Sequence, residues 1–159
     1  MQIKKIEENK KQFLDLLLLA DEQEDMIDRY LDRGDMYILC DPDPKSVCVV
    51  TREGQGIYEL KNIATYEQEQ GKGYGSSLIE FLFIRYGEDG NVMLVGTGDS
   101  PLTIPFYKRC GFEISHRVKD FFTDHYDHPI YEGGVLLTDM VYLRREFPRM
   151  RREPETKRQ

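Results

Sequence analysis

Gln70-Gly71-Lys72-Gly73-Tyr74-Gly75-Ser76 is the segment of this chain whose residue types and spacing suit the binding of an anion. Three glycines in five residues let the backbone turn tightly and approach a ligand with no Cβ in the way. A strand-like run from Ile57 to Thr65 precedes it, and a helix-like run from Ser77 to Tyr86 follows. The first N–H groups of such a helix have no partner within it and point outward at the positive end of its dipole, which suits phosphate or pyrophosphate. Two familiar glycine loops do not fit. The dinucleotide fingerprint G-x-G-x-x-G needs a glycine where Ser76 stands, and an acidic residue at the end of the next strand is missing. The triphosphate loop needs Ser or Thr after Gly-Lys, where Gly73 stands. Taken alone, the segment is either a phosphate cradle of another kind or a glycine-rich turn capping a helix.

Other reactive side chains point to less. His125 and His128 form an H-x-x-H pair near Asp124 and Asp127, but in a Pro-containing segment without the helical spacing of H-E-x-x-H, so no metal is expected. Cys40, Cys48 and Cys110 are odd in number and lack C-x-x-C spacing; they read as buried free thiols in a reducing compartment. The 159 residues, 40% hydrophobic and 32% charged, describe one globular domain over residues 1–147 with a basic tail over 148–159. No apolar run approaches the ~20 residues that span a bilayer, and no signal-like segment opens the chain, so the expected location is cytoplasmic, with no membrane partner. The net charge of −7 is uneven: residues 144–159 carry +4 and residues 1–143 carry −11. An acidic body argues against nucleic acid, whose phosphates dominate such binding, and favours a cationic or amine-bearing small substrate.

The elements that position the loop follow from periodicity. Ile3 and Ile6 bracket a first strand, and residues 9–20 read as a helix with Phe13, Leu14, Leu17 and Leu18 on one stripe. Asp21 is placed to cap a second helix running through Arg33, with Gly34 as its stop. Residues 36–40 and 46–51 read as short strands before the strand that leads into the loop. After the loop helix come a strand over 92–95, a short helix from Pro105 to Arg109 ended by Gly111, and two long strands over 112–118 and 134–143. The aromatic, acidic segment from Phe121 to Glu132 separates those two. This order gives an α/β (α+β) fold with a mixed sheet flanked by helices.

At this point the residues resemble the GNAT superfamily of N-acetyltransferases. Gln70-x-x-Gly73-x-Gly75 matches the family's acetyl-CoA signature, and Phe106-Tyr107-Lys108-Arg109-Cys110-Gly111-Phe112 matches its second hallmark, an aromatic pair followed by Gly-Phe. The segment from Tyr126 to Leu143 is also similar to a poorly characterised bacterial branch of that superfamily. The resemblance implies a mostly antiparallel sheet of about seven strands and about four helices, splayed at the cofactor cleft. It implies that Gly71 to Ser76 hold the CoA pyrophosphate through backbone amides, with Gln70 opening the motif and Tyr74 inside it. Ile63, Ala64 and Thr65 would bind pantetheine and the acetyl carbonyl through main-chain groups, and Phe106 would also meet the cofactor. Lys72 would add a charge near the phosphates, or remain a solvated lysine.

The same resemblance assigns the chemistry. Tyr107 falls where many relatives place a phenol near the CoA sulfur, as general acid; a phenol has a pKa near a thiol's, although packing on pantetheine is the other reading. Glu59 has the spacing of a glutamate that accepts the amine proton in some relatives, and on a strictly alternating strand it shares a face with Lys61 and Ile63. Off the cleft it would be a solvated carboxylate. Where relatives carry an Asn, this chain has Asp99, expected as a helix cap, and Ser100, expected to contact the cofactor. For the acceptor, Asp124, Tyr126, Asp127, Tyr131 and Glu132 read as an anionic, aromatic pocket for a cation, or as a polar loop with a few buried rings. The expected activity is acetyl transfer from acetyl-CoA to a primary amine of a small cationic or aminoglycoside-like molecule, with a homodimer as a possible assembly. A protein or peptide amine acetyltransferase and a non-catalytic acyl-CoA sensor are the alternatives.

Overall fold

A computed structural model describes residues 1–149; of the basic tail expected over 148–159, residues 150–159 lie outside the described residues. The chain begins with β1 (Gln2–Ile6), a 3₁₀ turn (Lys10–Phe13) and α1 (Leu14–Ala20). A single helical turn, α2 (Glu24–Ile27), leads to β2 (Asp35–Cys40), β3 (Pro44–Gly54) and β4 (Ile57–Thr65). Next come α3 (Tyr74–Arg85), β5 (Val92–Gly98), α4 (Ile104–Arg109) and β6 (Glu113–Val118). The chain then forms α5 (Phe121–His125), a hairpin of β7 (Tyr131–Glu132) and β8 (Val135–Leu136), and β9 (Met140–Glu146).

Seven strands form one sheet in the order β1-β2-β3-β4-β5-β9-β6. Every neighbouring pair is antiparallel except β4 and β5, which run parallel with α3 as their crossover. Alternation along β3 sorts the core onto two faces. Val47 and Val49 point to α1 and pack with Leu16, Leu17, Ile27 and Met36. Cys48 and Val50 point the other way, to α3, and pack with Leu60, Leu78, Leu82 and Met93. Helices therefore cover both faces of the sheet, and each face has its own apolar layer.

Two sequence expectations change. The second helix ends at Ile27, and residues 28–33 continue as turns. Tighter i→i+3 bonds such as Arg29 N–H to the Met26 carbonyl at 3.2 Å replace helical ones, and Lys10 Nζ takes the carbonyls of Leu31 and Gly34 at 2.8 and 2.7 Å. The last long strand begins at Met140, not Gly134, because Gly133 and Gly134 adopt φ of +58° and +79° and form the tight turn of the β7–β8 hairpin.

The feature that positions the site is a seam. Opposite β3, Val49 pairs with Asn62 and Val50 with Leu60, so Lys61 is an extra residue in β4, a bulge. The parallel ladder between β4 and β5 runs from Ile57–Val92 to Leu60–Val95 and stops there. Beyond it, β4 stays paired with β3 as far as Thr65, while β5 stays paired with β9 as far as Gly98. The sheet thus opens between two strands that are each held on their outer side.

Leu82 is fully buried between α3 and the sheet. Leu82→Ala should cost about 2–5 kcal/mol through lost transfer energy and a residual cavity. Urea unfolding should show a lower midpoint at an unchanged slope; an unchanged midpoint would mean that α3 is not seated as described.

Candidate active site

The open seam leads into a cleft of about 670 Å³ that runs from the glycine loop, between β4 and β5, to the α1–α2 junction and the segment after α5. At the loop end, Gly71 and Gly73 take φ of +82° and +89°, a region that favours glycine. A Cβ at either would meet nothing within 4 Å, so the loop's concave side is open to a ligand. Among the described residues no backbone N–H from Gly71 to Ser76 finds a backbone acceptor; the first such bond is Ser77 N–H to the Gly73 carbonyl at 3.0 Å. These amides head α3, a helix of 12 residues, and their geometry suits a pyrophosphate. Gly75 is needed for another reason: a Cβ there would lie 3.2 Å from the Phe106 ring and 3.9 Å from Ile63. Gln70 fastens the loop to its strand by donating to the Thr65 carbonyl at 3.1 Å, and Tyr74 donates to Asp41 at 2.8 Å.

Lys72 reaches away from this cradle. It is exposed, does not line the cleft, and pairs with Glu69 at 2.8 Å. Glu69 also receives Lys45 at 3.2 Å, and its hydrogen bonds, from Lys72 first and Lys45 second, hold its carboxyl below the usual range. A carboxylate at the edge of an anion site is thereby neutralised by two lysines.

Ile63, Ala64 and Thr65 all line the cleft on β4. Their main-chain groups on the β5 side are released by the parting of the strands, while Ser46 anchors the other side through the Ala64 carbonyl at 2.8 Å and the Thr65 hydroxyl at 2.9 Å. Phe106 and Tyr107 on α4 line the opposite wall. Tyr107 is 7% exposed, and burial, followed by the charges of Glu132 and Cys110, pushes its hydroxyl well above the ordinary phenol range. It keeps its proton. Burial likewise raises the Cys110 thiol, away from the thiolate that a nucleophile needs. Cys40 and Cys48 are buried free thiols as expected, whereas Cys110 is only half-buried.

Glu59 does not line the cleft. The bulge at Lys61 breaks the alternation expected along β4. Glu59 lies opposite Thr51, on the face that Val49 shares with Asn62 and α1, whereas Ile63 packs with the α3 layer. Its carboxylate pairs with Lys61 at 3.0 Å and accepts from Tyr142 at 3.3 Å. Asp99 is not a helix cap either: Thr103 holds that position on α4, and Asp99 pairs with Arg117 at 2.9 Å. Ser100 is 2% exposed, accepts from Leu102 N–H at 3.0 Å, and does not line the cleft.

The acceptor-side residues divide. Tyr126, Tyr131 and Glu132 line the cleft; Asp124 is exposed and does not. Burial raises the Glu132 carboxyl. The segment after α5 is fastened across the cleft to the α1–α2 junction. Tyr126 donates to Asp21 at 2.7 Å, Asp127 N–H donates to Gln23 at 3.1 Å, and His128 Nε2 lies 3.3 Å from Glu22. Asp21, Glu22 and Asn62 therefore join the lining, three residues that local reading of the sequence did not select for the site. For Asn62 the signal was a polar residue inside an apolar strand.

Residues 32–114 match the family model of the acetyltransferase (GNAT) domain. An uncharacterized N-acetyltransferase of Bacillus subtilis (strain 168), YvbK, is 37% identical over 140 residues, covering 86% of this chain and 90% of its own. A Bacillus subtilis acetyltransferase solved in complex with CoA superposes with a TM-score of 0.83 at 34% identity, over 91% of this chain and 97% of that one. A GNAT family acetyltransferase from Elizabethkingia anophelis, solved with acetyl-CoA bound, gives 0.85 at 32% identity, over 91% and 97%. Family match, relatives and a sheet that parts beside an open glycine loop agree, and the chain belongs to the GNAT superfamily of N-acetyltransferases.

Proposed function

We propose that this acyltransferase moves the acetyl group of acetyl-CoA to a primary amine of a small cationic molecule, by direct attack with both substrates bound together. The observation that carries the reading is the roofed, acidic end of the cleft, where Tyr126, Asp127 and His128 are fastened to residues 21–23 and Glu132 stands inside. A peptide acceptor calls for a groove open along its length; an acidic pocket bridged by residues 126–128 favours a small cation.

Bound acetyl-CoA supplies an acetyl thioester and departs as the thiol. The amides of Gly71 to Ser76 hold its pyrophosphate, and the freed edge of Ile63 to Thr65 meets pantetheine and polarises the acetyl carbonyl. Gln70, Tyr74 and Phe106 complete that wall. Glu132 is the base that takes the proton of the attacking amine, because burial raises its carboxyl toward the range in which a base works near neutral pH. Tyr107, held protonated beside it, donates its proton to the departing sulfur. Glu59 orients Lys61 on the cleft wall and does not touch the amine.

A panel of small amines and lysine peptides, read by CoA release, tests the reading. Small cationic amines should be turned over and peptides should not; turnover of peptides alone would replace it with a protein acetyltransferase, and cofactor binding without CoA release would favour a sensor. Tyr107→Phe should lower turnover about a hundredfold or more with little change in acetyl-CoA affinity, and wild-type turnover would remove Tyr107 from the role of acid. The base acts deprotonated, so kcat/KM should fall as pH drops through the raised pKa of Glu132, and Glu132→Gln should lose that acidic limb. If the limb survives in Glu132→Gln but disappears in Glu59→Gln, the two carboxylates have the opposite roles.

A further inference from the structure

Asp21, between α1 and α2, lines the acceptor end of the cleft and has no part in the proton transfers above. Its partners are the Tyr126 hydroxyl at 2.7 Å on Oδ1 and the Tyr30 hydroxyl at 3.1 Å on Oδ2. Neither is a cation. A mostly buried carboxylate without a counter-charge is costly, and this one is held in place by two phenols rather than neutralised.

The orientation of the network is fixed. Asn62 Nδ2 donates to the Leu17 carbonyl at 3.1 Å, which can only accept, and to the Tyr30 hydroxyl at 3.0 Å. The Tyr30 proton is therefore left for Asp21. It also follows that the unpaired half of the Asn62 amide is its oxygen. Asn62 is 3% exposed and lines the same cleft, and its Oδ1 has no partner among the described residues. That oxygen is sealed from solvent, so it is an internal cost of holding Tyr30 and Leu17 and not itself a ligand contact. What the network lacks at the cleft is a cation for the Asp21 carboxylate, which Asn62 holds in place through Tyr30.

That cation is not the amine that reacts. The attacking nitrogen must be neutral, and a carboxylate without a counter-charge favours the protonated form. Glu132, whose charge is felt by Tyr107, reaches the cleft from β7, whereas Asp21 and Asn62 belong to the α1 side. We propose that Asp21, supported by Asn62, anchors a second, non-reacting ammonium group, so that the acceptor of this enzyme is a diamine or a longer polyamine. The inference rests on the acetyl-transfer reading above and adds to it the number of charges on the acceptor. Burial raises the Asp21 carboxyl from its ordinary range, and a bound ammonium reverses that shift.

The test compares straight-chain diamines with monoamines of the same chain length, read by CoA release from the full-length protein. In the wild type the best diamine should exceed its matched monoamine in kcat/KM by roughly tenfold to a hundredfold, the worth of a charge-assisted contact. Asp21→Asn should bring that ratio close to one, chiefly by raising KM for the diamine. Because Asp21 also holds Tyr126, a thermal melt checks that the variant is folded, and the wild-type comparison stands without it. Equal kcat/KM for both kinds of amine in the wild type, or an undiminished ratio in a folded Asp21→Asn, overturns the inference and leaves acetyl transfer to monoamines intact. Turnover of no amine of either kind overturns both.

Discussion

The site depends on one constraint: β4 cannot pair with β3 and β5 along its whole length. Lys61 is one residue too many for the ladder with β3, and the ladder with β5 ends at Leu60–Val95, beside that extra residue. A bulge bends its strand and increases the local twist, so the end of β4 turns away from β5. Neither strand is left loose, because β3 holds one and β9 holds the other. The main-chain groups exposed along the seam are therefore rigid hydrogen-bonding partners, the preorganisation that an acyl-transfer site requires.

From that seam the two ends of the cleft differ in kind. The loop end presents backbone: amides at the head of α3, glycines that leave space, and strand groups freed by the parting. Such a surface recognises charge and shape and tolerates change in most side chains. The acceptor end is built from side chains supplied by distant segments, with Tyr126 reaching Asp21 across 105 residues of sequence. Under the proposed function, selectivity for the acceptor resides there. The two ends meet around Tyr107, where burial first and an anionic neighbour second raise the phenol above its ordinary range.

How much could be read from the sequence follows the same division. The glycine loop, the Phe106–Phe112 motif and the apolar stripes are local, and each appears where periodicity and turn chemistry put it. The bulge has no residue signature of its own, and one extra residue was enough to move Glu59 off the face of Ile63 and out of the cleft. Asp21 carried a local meaning, a helix cap, that hid a tertiary one. Asp99 was read the same way and instead found Arg117. The Gly133-Gly134 pair between Tyr131 and Val135 was a hairpin signal in plain view, and reading it would have placed Glu132 on a short ordered strand.

Backbone amide hydrogen exchange with and without acetyl-CoA tests the seam most directly, because it reports on the groups that the parting is held to expose. The account predicts slowed exchange in two separated stretches at once, residues 61–65 on β4 and residues 71–76 in the glycine loop, with the edge strand β1 unaffected. Protection in the loop alone, with no change along 61–65, would contradict the claim that the open strand edge binds the cofactor.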